Sequence, residues 1–138
     1  MKKFVYLLSL VLVTFTSCSL DEASRPPQIV FVPIESVVVP EEFVFGETHE
    51  ISMTYTKPSS CYVFNRIFFE PEGQERTVAV INSVYDNADC TAEPEETTVS
   101  FDFTVLSEEP YIFKFYQGID DTGADSYHII EIPVVTED

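Results

Sequence analysis

The chain has 138 residues, 45% of them hydrophobic and 14% aromatic, which is enough apolar material for one domain with its own core. Its 24 acidic residues outnumber the 7 basic ones and give a net charge of −17. A surface of that sign repels phosphate backbones and anionic headgroups, which argues against nucleic acid as a partner.

Met1-Lys2-Lys3 opens the sequence, and an apolar run from Phe4 to Phe15 follows, broken only by Ser9 and Thr14. Two lysines, a short greasy stretch and then small residues are the layout of a cleaved export signal. The run falls short of the roughly 20 apolar residues that a spanning helix needs. Residues 1–17 are therefore expected to be a signal peptide. Phe15-Thr16-Ser17-Cys18 resembles a bacterial lipobox, with Phe15 and Ser17 where that family usually has Leu and Ala or Gly. The acidic pair Asp21-Glu22 after the cysteine resembles the surface-export signal of Bacteroidota-type cell-envelope lipoproteins. The resemblance implies that Cys18 is lipidated, palmitate included, and that the protein is held on the cell outer membrane, exposed at the surface. Each buried acyl CH₂ contributes about 0.8 kcal/mol, so two or three chains hold a protein firmly. Residues 18–28, which include Arg25-Pro26-Pro27, then form a polar tether, and residues 29–138 the folded domain.

With Cys18 acylated, Cys61 and Cys90 remain. In an exported chain such a pair is expected to bridge.

From Gln28 onward helical periodicity gives way to short runs of Val, Ile, Phe, Tyr and Thr punctuated by Pro, Gly, Asp and Glu, the pattern of an all-β sandwich or barrel. Seven strands are expected: 34–39, 48–56, 62–69, 75–85, 97–105, 111–117 and 126–134. Ile51, Met53 and Tyr55 alternate with Ser52, Thr54 and Thr56; Val99, Phe101, Phe103 and Val105 alternate with Ser100, Asp102 and Thr104. Such alternation puts one face in the core and one in water, as in antiparallel sheets packed face to face. Strand 62–69 is apolar on both faces and is expected to be covered on both, whereas 75–85 has no clear phase and is expected to bend. Gly118 to Asp125 reads as a hairpin loop.

Pro110-Tyr111, opening the sixth run, resembles the tyrosine corner of immunoglobulin-like and fibronectin-III-like domains. That resemblance implies a seven-stranded antiparallel immunoglobulin-like sandwich. The chain has no Trp, and Phe113 stands where the immunoglobulin family's second cysteine would fall. Such folds host many functions, so the likeness implies architecture and no chemistry.

Catalytic patterns are missing from the sequence. The two histidines, His49 and His128, share strand phases with apolar neighbours and read as packing or edge residues. There is no GxSxG elbow or phosphate-cradling glycine loop, so an enzyme is not expected and no cofactor is implied. Asp120, Asp121 and Asp125 share one loop and form the candidate calcium ligand set, although their spacing does not match a DxDxDG loop. Asp86, Asn87 and Asp89 form a second acidic cluster. Tyr62, Tyr85, Tyr116 and Tyr127 are candidates for a surface platform that stacks sugars. The expected function is a membrane-anchored, non-catalytic binding or structural module that contacts another envelope protein or a surface polysaccharide. The alternatives are a proteinase inhibitor of immunoglobulin-like fold and a carbohydrate-binding module.

Overall fold

The computed structural model describes residues 25–86 and 89–138. The expected signal peptide, Cys18 with the tether through residue 24, and Asn87 lie outside the described residues.

The described chain is all-β, and no helix in it is long and apolar enough to cross a membrane. Ten strands follow one another: β1 (Gln28–Val32), β2 (Ser36–Val38), β3 (Phe43–Val44), β4 (Thr48–Lys57), β5 (Tyr62–Glu72), β6 (Glu75–Val84), β7 (Glu95–Thr104), β8 (Tyr111–Ile119), β9 (Asp125–Ile132) and β10 (Val134–Val135). The expected count of seven is corrected by short elements bounded by proline. Gln28-Ile-Val-Phe-Val lies between Pro27 and Pro33 and forms β1, so the tether gives way to strand at Gln28. β3 and β10 pair with each other over only two residues, too few to show a period.

A three-stranded sheet, in the order β2-β4-β7, packs in sandwich fashion on a five-stranded sheet in which β6 is flanked by β5 on one side and by β1 and then β8 on the other. The alternating runs behave as their period requires. Ile51, Met53 and Tyr55 of β4 meet Val78 and Val80 of β6 and Phe113 and Phe115 of β8 in one core. On the opposite face of β4 the small polar residues pair with β7 as a ladder of hydroxyls: Thr48 with Thr104 at 2.8 Å, Ser52 with Ser100 at 2.7 Å and Thr54 with Thr98 at 3.0 Å. Phe43 completes the core at one end, with its ring 5.3 Å from Phe103 and 5.9 Å from Phe113.

Two pairings are parallel, β6 with β8 and β10 with β3, so the sheets are not wholly antiparallel as expected. The cause is the path of the chain. It leaves β6 for β7 in the opposite sheet and returns as β8, and such a crossover permits parallel neighbours.

The roles of β5 and β6 are also the reverse of the expectation. Val78 through Ser83 are buried without a break, because β6 has strands on both edges and cover on both faces, and a strand so placed has no alternation to display. β5 lies at the sheet edge and exposes Val63, Phe64 and Phe69 in part. Tyr111 holds the turn before β8: its hydroxyl accepts from the Leu106 N–H at 3.2 Å and the Ser107 N–H at 3.0 Å, the contact anticipated from Pro110-Tyr111. Cys61, just before β5, and Cys90, in the connection from β6 to β7, form the expected disulfide, with Cα atoms 5.3 Å apart.

Candidate binding groove

The outward face of the five-stranded sheet is built from cross-strand rows fixed by register. One row runs Glu70 (β5), Thr77 (β6), Lys114 (β8), Ile129 (β9). In the next, Phe68 pairs with Ala79 on β5 and β6 and Tyr116 with Tyr127 on β8 and β9. In a third, Arg66 and Phe31 stand on either side of Ile81. Residues facing one another in such rows have Cβ atoms about 4.5–5.5 Å apart. Large rings therefore surround the small side chains of Thr77 and Ala79, and the difference in size leaves a groove of about 350 Å³.

Its walls are aromatic. Phe31 lies 5.9 Å from Phe68 and 5.9 Å from Tyr116, and Tyr116 lies 6.0 Å from Tyr127, with rings crossing at 86°, 61° and 67°. These are the edge-to-face contacts that ring quadrupoles favour. Phe31 nonetheless remains 51% exposed. Glu70 and Asp125 also line the groove, and Lys114 Nζ sits 4.9 Å from the centroid of the Tyr127 ring. The phenol of Tyr116 is held above its ordinary value, chiefly by burial and further by the charge of Asp125 and by Tyr127.

The remaining sequence candidates divide. Of the four surface tyrosines, Tyr116 and Tyr127 meet in the groove; Tyr62 packs against the core and Tyr85 lies in a separate hollow beside Cys61. Phe31 and Phe68 escape a reading of the sequence, because only the register across β6 brings side chains of β1 and β5 into one groove with those of β8. The acidic loop is shorter than expected: β8 continues to Ile119 and β9 starts at Asp125, with a bulge between Tyr116 and Gly118. In that loop Asp120 Oδ1 accepts from the Thr122 N–H at 2.8 Å, the Thr122 hydroxyl at 2.6 Å and the Ala124 N–H at 3.1 Å. These bonds, led by the Thr122 hydroxyl, hold the Asp120 carboxyl below the usual carboxylate range. Among the described residues no group of three or more His, Cys, Asp or Glu side chains is placed to hold a metal ion. Of the candidate calcium ligands Asp120, Asp121 and Asp125, Asp120 organises the turn and Asp125 faces the groove. His49 is a packing residue, its Nε2 accepting from the Val44 N–H at 3.1 Å and its ring 5.2 Å from that of Phe43. His128 is exposed on β9, at the sheet edge.

None of the family models, curated proteins or solved structures compared with the chain matches it.

Proposed function

We propose that the protein is a non-catalytic binding module of the cell envelope, carried on a lipidated Cys18 and a polar tether, whose immunoglobulin-like sandwich recognises a partner through the outward face of the five-stranded sheet. The observation that carries this reading is the aromatic groove. Full burial of a Phe side chain is worth about 1.5–3 kcal/mol, yet Phe31 stays half exposed at the rim of a concave surface. A partner covering that surface gains the free energy that folding left unused. The signal-like run before Cys18 and the disulfide between Cys61 and Cys90 support an exported protein.

The anchor and the recognition surface are tested separately. Labelled palmitate is expected in the wild-type chain and absent from Cys18→Ala, which should move from the membrane to the soluble fraction; an unlabelled wild-type chain refutes the anchor. Saturable binding of the purified protein to isolated envelopes is expected to be lost in Phe31→Ala and retained in Val38→Ala, an exposed apolar residue on the other sheet. Equal binding by both variants refutes the groove as the recognition surface.

A further inference from the structure

We propose that the groove takes organic cations, specifically the ammonium or guanidinium groups of a basic polypeptide segment laid across the strands; this rests on the groove being a recognition surface and names what it recognises. Three observations converge. The walls are the rings of Phe31, Phe68, Tyr116 and Tyr127, and aromatic faces attract cations through their quadrupoles. The chain already uses this attraction twice, with Lys114 Nζ 4.9 Å from the Tyr127 centroid and Arg76 Cζ 5.0 Å from that of Tyr111. The second observation is charge: the groove is flanked by Glu70 on β5 and Asp125 on β9 in a chain of net charge −17, so a cation is drawn in and a polyanion repelled. The third is shape. Neighbouring rings cross at 86°, 61° and 67°, which makes a concave wall and not the flat platform on which a neutral sugar stacks.

The strand positions also set a spacing. β5 and β9 are separated by β6 and β8, three inter-strand steps or about 14 Å. Asp125 stands four residues, about 13 Å, along β9 from Ile129, which shares the row of Glu70, so the two acidic positions lie about 19 Å apart on the diagonal. An extended peptide advances about 20 Å over six residues and directs residues i and i+6 to the same side. Basic residues six apart therefore reach Glu70 and Asp125 together, while the stem between them crosses the rings. Lys114 and Arg66 share this face and oppose a cation, Lys114 more strongly because it stands in the same row as Glu70.

The test is calorimetric titration of the full-length protein in non-ionic detergent with the peptide Arg-Ser-Ser-Ser-Ser-Ser-Arg, its N-terminus acetylated and its C-terminus amidated, and with an Arg-Arg-Ser-Ser-Ser-Ser-Ser peptide of equal charge capped in the same way. The first is expected to bind more tightly. Glu70→Gln and Asp125→Asn should each weaken it about threefold to tenfold, Phe31→Leu, which keeps bulk and removes the ring, by a similar factor, and Lys114→Met should tighten it. The pair Glu41→Gln/Glu42→Gln, remote from the groove, should leave affinity unchanged. Equal weakening by the remote pair, equal affinity for the two peptides, or no binding by the wild type overturns the proposal. So does binding of neutral maltohexaose that Phe31→Leu abolishes. That last result would leave the recognition surface standing and remove only its cationic ligand, whereas envelope binding indifferent to Phe31 removes both.

Discussion

Tyr55 and Asn82 form a polar pair inside an apolar interior. Both are fully buried, and the Tyr55 hydroxyl donates to Asn82 Oδ1 at 3.2 Å, while Asn82 Nδ2 has no hydrogen-bond partner. Burial holds the Tyr55 phenol above its ordinary value, against the opposing effect of the Asn82 bond, so the group stays a neutral donor. Removing the donor alone leaves Asn82 Oδ1 buried and unsatisfied. Tyr55→Phe is therefore expected to destabilise by about 1–3 kcal/mol in urea unfolding, and Tyr55→Phe/Asn82→Leu to recover most of that loss. A second residue-scale expectation concerns Tyr116, whose phenol is raised by burial and by Asp125. A raised folded value means that the native state keeps the proton longer than the unfolded chain does. Its contribution to stability is thus fully present below the ordinary value of 10.0 and is lost as pH rises through the folded value. Tyr116→Phe should flatten the alkaline fall in stability measured by chemical denaturation at successive pH values, and Asp125→Asn should flatten it in part.

At the scale of elements, strands with a water face were the readable ones. β4 and β7 show their alternation because one side turns Tyr55 and Phe103 into the core and the other carries the hydroxyl ladder. β8 shows it because Tyr111, Phe113 and Phe115 are buried while Lys114 is not. β6 hid its central position, since Val78 through Ser83 are buried without a break, and β5 resembled a covered strand because it carries apolar residues on both faces although it lies at the sheet edge, where Val63, Phe64 and Phe69 stay partly exposed. The groove itself was half readable. Tyr116 and Tyr127 stood out as surface tyrosines, but Phe31, Phe68 and the small Ala79 between them join only through register across strands far apart in sequence. Gly118 was read as a turn residue and is a bulge residue. It has φ of 101°, and a Cβ there would stand 3.2 Å from Pro33 Cγ. Gly118→Ala is expected to cost about 1–3 kcal/mol and, because the bulge sets the pairing of Tyr116 with Tyr127, to alter their ring resonances in NMR spectra.

The whole molecule is closed at one end by its disulfide and left open across one broad face. The covalent loop between Cys61 and Cys90 spans 29 residues and encloses β5 and β6, the edge and centre of the larger sheet. In the chain-entropy model such a loop contributes roughly 3–4 kcal/mol, so Cys61→Ser/Cys90→Ser should lower Tm by many degrees while the circular dichroism at low temperature remains that of a β protein. The way the chain enters the domain has a mechanical consequence. β1 pairs antiparallel with β6 from Gln28 opposite Val84 to Val32 opposite Val80, and the row of Phe68 and Ala79 lies beyond its far end. A pull on the N-terminus against a partner seated in the groove is therefore directed along the strand, loading all the rungs between β1 and β6 at once in shear instead of peeling them one by one. Attachment at one end and grip at the other would make this small sheet resist extension where an unzipping geometry would yield.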